Sequence, residues 1–264
     1  MMGQTFTLIG LVFLPPLLIG CSPDKPSDAN SDLPPEILLE RLKSAHSRLQ
    51  DFKGSALVTV RLNGRRSRVS TRIRYRQPDH LKIYVQGGLQ VIAVLSIKEH
   101  DVQLYIPGEN VVFEGSIDDT DVLMPGLPVP LSDIRTASTG VIDMTPYVLE
   151  NITDYHQEDG HYYLSVMANG RKRTIRIDPE RSVVIREEEK IPGGKTIIRS
   201  FHQYTRREGI WRPSEIHIES DMQDETLNLK YDIQSLNSGL TGSDLRMKLP
   251  GSVRRLPLSH MVVE

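Results

Sequence analysis

The chain has 264 residues, of which 38% are hydrophobic and 25% charged, and 32 Lys and Arg against 34 Asp and Glu leave a formal net charge of −2. That balance excludes a global polycation for nucleic acid and a chain disordered throughout, and the length is that of one large or two small domains. A single cysteine, Cys21, excludes an intramolecular disulfide and a cysteine-based zinc site.

Residues 1–20 (MMGQTFTLIGLVFLPPLLIG) carry no charged side chain, and their apolar run over residues 8–19 is broken by Pro15 and Pro16. The run is too short for the ~20 helical residues of a membrane span and fits the core of a secretory signal peptide. It ends Leu18-Ile19-Gly20-Cys21, which resembles the lipobox of bacterial lipoproteins. The resemblance implies cleavage before Cys21, acylation of its thiol and a membrane anchor that gains ~0.8 kcal/mol per buried CH2. Residues 21–35 (CSPDKPSDANSDLPP) hold almost nothing to bury and read as a disordered tether. Ser22 stands where an Asp would resemble an inner-membrane retention signal, which implies a lipid-anchored outer-membrane protein facing the periplasm.

Residues 35–51 (PEILLERLKSAHSRLQD) place Ile37, Leu38, Leu42, Ala45 and Leu49 at helical spacing, with Glu36 in the first turn, and predict one amphipathic helix. After Gly54 the apolar spacing becomes alternating, punctuated by turn pairs such as Asn63-Gly64, Gly87-Gly88, Asp159-Gly160 and Asn169-Gly170, and predicts a meander of hairpins. Alternation groups Val58 with Val60, Val69 with Ile73 and Tyr75, Leu81 with Ile83 and Val85, Leu104 with Ile106, and Leu227 with Leu229, each set on one strand face that seeks cover. Between the apolar positions of residues 68–76 stand Arg68, Arg72, Arg74 and Arg76, with Arg65, Arg66 and Lys82 near. This row is either a solvated strand face or a docking stripe, Arg68, Arg72 and Arg74 foremost, for an acidic carrier protein or anionic headgroups.

About 11–13 strands in one sheet must curl, and a single helix covers only part of the concave side, so an open, highly curved antiparallel half-barrel around an apolar cavity is expected. Residues 118–146 interrupt the meander with one or two short helices. This stretch, with Leu123, Met124 and Leu127, is either a lid over the cavity mouth or a crossover loop packed on the core.

The N-terminal helix, the strand–turn–strand TRIRYRQPDHLKIYV, the pair VQLYIPGENVVFEGS and the closing DLRMKLPGSVRRLPL occur in this order. Together they resemble the LolA and LolB lipoprotein localisation factors over residues 36–258, followed by a tail at 259–264. The resemblance implies a mainly β half-barrel with lid helices whose cavity accepts acyl chains of lipids or lipoproteins. Lipidation at Cys21 is similar to the anchored acceptor LolB rather than the soluble carrier LolA. Gln77 stands where the carrier has a lid-locking arginine, and the hairpin at residues 195–219, with the only tryptophan, Trp211, is an addition.

Catalytic signatures are missing. His156 and His161 flank one turn without a third ligand at metal spacing, so neither metal nor cofactor is expected. Gly193-Gly194-Lys195-Thr196 lacks the P-loop's first glycine, since Glu189 stands there. No G-x-S-x-G elbow occurs. The carboxylate runs Asp118, Asp119, Asp121 and Glu187 to Glu189 are expected to be solvated. The function expected is a non-enzymatic, anchored acyl-chain binder acting in lipid or lipoprotein sorting. A protein-binding periplasmic sensor resembling RseB is the alternative.

Overall fold

The computed structural model describes residues 33–117, 131–190, 194, 196–220 and 225–261. Helix α1 (Pro35–Ser47) is followed by β1 (Asp51–Leu62), β2 (Arg65–Arg76), β3 (His80–Gly87), β4 (Gln90–Lys98), β5 (Asp101–Ile106) and β6 (Val111–Ser116). A short turn and helix α2 (Ile134–Thr139) lead to β7 (Ile152–Glu158), β8 (His161–Ala168), β9 (Arg171–Asp178), β10 (Val183–Lys190), β11 (Thr196–Arg207), β12 (Ile210–Ser220) and β13 (Glu225–Leu236). Helix α3 (Gly242–Leu245) and β14 (Arg254–Pro257) follow.

Among the described residues these strands form one open sheet in the order β14-β6-β5-β4-β3-β2-β1-β13-β12-β11-β10-β9-β8-β7. Every neighbour pair is antiparallel except β14 with β6, which is parallel. The sheet curls around one core to which its inward residues, α1 and α2 all contribute. It is the expected half-barrel with one strand more than expected. Four residues of β14 are too few to show an alternation, and a parallel pairing carries no turn signal.

The hairpins form where turn chemistry dictates. Asn63-Gly64 has φ of 49° and 74°, Asp159-Gly160 49° and 73°, and Asn169-Gly170 53° and 71°. Positive φ at both central residues gives the tight turn whose twist matches the flanking strands. In β1, Gly54 lets Phe52 and Tyr231 meet edge to face at 5.3 Å; a Cβ there would lie 2.5 Å from Phe52 Cζ and 2.7 Å from Tyr231 Cε1.

Helix α1 buries Leu38, Leu39 and Leu42 against the concave side, while Ile37, expected to be buried, is 42% exposed. The helix stops at Ser47 instead of Asp51. Asp51 opens β1, and its carboxylate accepts the backbone N–H groups of Ser238, Gly239 and Leu240 at 2.7, 2.8 and 3.1 Å. Ahead of the helix, the Leu33 N–H donates to the Tyr162 hydroxyl at 2.9 Å. The segment carrying α3 crosses the convex face, where the Arg74 guanidinium donates to the Asp244 carbonyl at 2.9 Å and the Lys82 ammonium to that of Arg246.

Candidate functional site

A cavity of about 1180 Å³ opens within the half of the sheet that runs from β13 through β6. Ladder register builds its wall: Val58 faces Val69 and Leu229, Val60 faces Leu227, Ile73 faces Ile83, Val85 faces Ala93 and Leu95 faces Leu104. Leu62, Ile106 and Phe113 extend it, and Ile134, Ala137 and Ser138 of α2 close part of it. Among the described lining residues the charged and amide groups are Asn63, Arg65, Glu109 and His260, all exposed and therefore at the rim. The volume exceeds the ~300–1,000 Å³ typical of small-molecule pockets.

Val58, Val60, Val69, Ile73, Ile83, Val85, Leu104, Ile106, Leu227 and Leu229 lie in this lining. Tyr75 and Leu81, expected with them, do not. They face each other across β2 and β3 on the same side, but at an end already filled, where Tyr75 lies opposite Phe52. Both are fully packed into the core, at 2% and 0% exposure. Leu62, which continues the alternation of Val58 and Val60, lines the cavity as well, whereas Ala93, Leu95 and Phe113 are lining residues that alternation did not single out. The apolar run from Val91 to Leu95 is continuous, and a register shift between Val85 and Gln86 hides which of its residues turn inward. Cys21 and the lid candidates Leu123, Met124 and Leu127 lie outside the described residues.

Arg68 and Arg72 are exposed on the convex face, in register with Thr59 and Ser55, and Arg61 lies opposite Arg66. Arg74 differs from its neighbours in the row. It is half-buried, stacked 5.7 Å from the Tyr84 ring centroid and bonded to the α3 segment. Lys82, buried beside it, does the same for Arg246, so this end of the row holds chain to chain. A feature outside the sequence expectations is Leu89, fully exposed at the tip of the β3–β4 hairpin after Gly87-Gly88. In a meander alternate turns share one end of the sheet, so Leu89 stands at the same end as the rim residues of the β1–β2 and β5–β6 turns.

Helix α2 is held from both sides. Glu187 and Glu189, expected to be solvated, are buried at 2% and 0% exposure because their β10 positions face the concave side. Arg199 on β11 donates to Glu187 at 3.1 Å, to Glu189 at 2.9 Å and to Asp133, the residue preceding α2. Arg173 reaches Glu189 at 3.1 Å, and the Tyr147 hydroxyl donates to Glu187 at 2.9 Å. Burial alone would raise the Glu189 carboxyl, but Arg199 and Arg173 hold it below its ordinary range. At the other end of α2, Arg212 and Tyr231 donate to the carbonyls of Thr139 and Ser138. Gln77, at the position of the carrier's arginine, donates to the His46 carbonyl at 2.8 Å and so fastens α1. His156 bonds Asp154 at 3.0 Å and stacks on Tyr163, and His161 bonds the Asp159 carbonyl, so the two do not converge.

No helix among the described residues is long and apolar enough to cross a membrane. No protein-family model matches the sequence, and no curated protein matches it. Solved structures do match. A DUF1329 family protein from Desulfovibrio piger superposes over 80% of this chain and 98% of its own, with a TM-score of 0.63 at 13% identity. An outer membrane lipoprotein-sorting protein domain from Vibrio parahaemolyticus covers 80% and 97%, with a TM-score of 0.61 at 15% identity. A LolA superfamily protein from Nitrosomonas europaea covers 81% and 98%, with a TM-score of 0.59 at 11% identity. With its open, curled sheet and cavity under a short helix, the chain has the fold of the LolA superfamily.

Proposed function

We propose that the protein is a lipoprotein, anchored through acylated Cys21 to the periplasmic side of the outer membrane, that takes up acyl chains of lipids or lipoproteins during their sorting. The observation that carries this reading is the cavity, whose described lining inside the rim consists of Val, Ile, Leu, Ala, Phe, Met and small hydroxyl side chains. Such a wall binds by removing apolar area from water, at about 25 cal/mol per Å², and needs no catalytic group. Arg65 and His260 at the rim suit the polar end of a lipid whose chain lies inside.

Two external features support work at a membrane. Leu89 offers an apolar contact at the mouth end of the sheet. Arg61, Arg66, Arg68 and Arg72, with Lys230 opposite Leu57 on β13, form a convex basic surface that steers toward anionic headgroups or an acidic carrier. The test is mass spectrometry of organic extracts from the purified full-length protein, together with displacement of a fluorescent fatty acid. Co-purified lipid and saturable displacement are expected. A protein that neither carries lipid nor binds the probe refutes the reading.

A further inference from the structure

A second cleft, of about 550 Å³, lies where the C-terminal ends of α1 and α2 meet the β9–β10 and β11–β12 hairpins. Its walls bring five guanidiniums together, those of Arg41, Arg48, Arg181, Arg206 and Arg212, against the carboxylates of Glu40 and Glu180. Asp178, just outside, pairs with Arg181 at 2.8 Å. The two helix C-termini contribute about half a negative charge each, which leaves a surplus of roughly one to two positive charges.

Arg212 sets this cleft apart from an ordinary basic surface. It is 3% exposed, donates through Nη2 to the Thr139 carbonyl and stacks 5.0 Å from the Phe52 ring centroid. Its Nε has no acceptor among the described residues. The groups that act on it are the hydroxyls of Tyr75, Tyr204 and Tyr231, and burial holds its pKa below the ordinary arginine value. The contrast within the molecule is direct: buried Arg199 meets Asp133, Glu187 and Glu189, whereas buried Arg212 meets no carboxylate among the described residues. An ion taken out of water without a counter-charge costs several kcal/mol, and one helix end offsets only part of that.

We propose that this cleft binds a phosphate monoester, with Arg212 at its base supplying the charge that the phosphate neutralises and Arg206 and Arg181 closing on it from the rim. The guanidinium fork matches phosphate oxygens two at a time, and a phosphate monoester carries close to two negative charges at neutral pH. Arg181 lies 5.4 Å from the Trp211 ring centroid. That stack gives the cleft a flat wall for the organic part of the ligand, and the volume admits more than a bare ion. The ester is either a small soluble metabolite or the headgroup of a lipid, and both present the same chemistry to the arginines.

The test measures the melting temperature of the full-length protein against inorganic phosphate, glycerol 3-phosphate and lysophosphatidic acid, at constant ionic strength with acetate as control. The wild type is expected to show a saturable rise with at least one phosphate compound and none with acetate. Arg206→Gln, at an exposed position, should melt normally in acetate and bind about tenfold more weakly, and Arg212→Met should lose the response. Should Arg212→Met fail to fold, Arg206→Gln and Arg181→Gln carry the comparison. Only the arginine-dependent part of the response counts, because lysophosphatidic acid also presents an acyl chain to the large cavity. An arginine-dependent response to glycerol 3-phosphate assigns a soluble ester, and one confined to lysophosphatidic acid assigns a headgroup. No saturable response in the wild type, an equal response to acetate, or equal binding in the rim variants overturns the proposal.

Discussion

Val69 offers a sharp test of the cavity. It lies midway along β2, opposite Val58 on β1, and is half-buried only because it faces the cavity. Val69→Ala removes two carbon atoms from the wall. At ~0.8 kcal/mol per CH2 the loss is at most about 1.6 kcal/mol for a fully covered site, and half-coverage brings it near 0.8 kcal/mol, about a fourfold weaker acyl chain. Val69→Glu places a carboxylate that water still reaches in the empty protein but not with a chain bound. Drying an ion costs several kcal/mol, so binding should fall by at least a hundredfold while the empty protein melts within a few degrees of wild type. Displacement of a fluorescent fatty acid, with thermal melts alongside, reads both numbers. A series of fatty acids should gain about fourfold per added CH2 in the wild type until the cavity is filled. Unchanged affinity in Val69→Glu, or a flat chain-length series, refutes acyl-chain binding at this wall.

Three further outcomes follow from the polar contacts. Arg199→Met leaves Asp133, Glu187 and Glu189 without their shared cation and should cost about 3–5 kcal/mol in urea unfolding; a neutral result would mean that Arg171 and Arg173, which reach Glu189 at 3.3 and 3.1 Å, suffice. Asp51 is held below its ordinary value because, although burial pushes it up, the Ser238 hydroxyl and the N–H groups of Leu240, Ser238 and Gly239 outweigh burial. A lowered carboxylate stabilises above its unfolded pKa, ~4, and the effect is lost as pH falls through the folded value. Stability should therefore drop steeply below about pH 4, less so in Asp51→Asn, and Asp51→Ala should cost about 3 kcal/mol at neutral pH through orphaned N–H groups. Last, Leu89→Glu should weaken sedimentation with anionic vesicles at any salt concentration, whereas Arg68→Glu with Arg72→Glu should weaken it only at low salt; the reverse pattern would exchange their roles.

Much of the cavity half was legible because most of its strands alternate cleanly and the turns that join β1 through β6 are short. A period of two fixes facing once one residue of a strand is placed, which is how Val58, Ile73 and Leu229 come to share a wall. It does not say how far along a strand the space ends, so Tyr75 and Leu81 lie on the same side yet in packed core. The buried charges escape a residue-by-residue reading for a different reason. Glu187 and Glu189 lie two apart, as do Arg171 and Arg173, and the inward Ile175 and Ile177 put both arginines on the concave face. Read as a pair of adjacent strands, the four residues predict an internal ion cluster; read singly, each is an ordinary surface charge. The role of Arg74 depends on Asp244, 170 residues away, and no local pattern carries it.

Among the described residues the two outer strands of the sheet, β14 and β7, do not pair with each other. A closed barrel ties its bore to strand number and stagger; this sheet obeys no closure condition, so its curl can relax and the space inside can widen or narrow while every ladder bond stays made. Under the proposed function, that freedom suits acyl chains of varying girth. It also leaves two free borders, each a template for another chain, and both are guarded. β14 is four residues long, displays exposed Arg254 and Arg255, and ends in Pro257, which has no N–H to offer. β7 sets exposed Asp154 and Glu158 along its length. The molecule keeps the adaptability of an unclosed sheet without inviting a second copy to extend it.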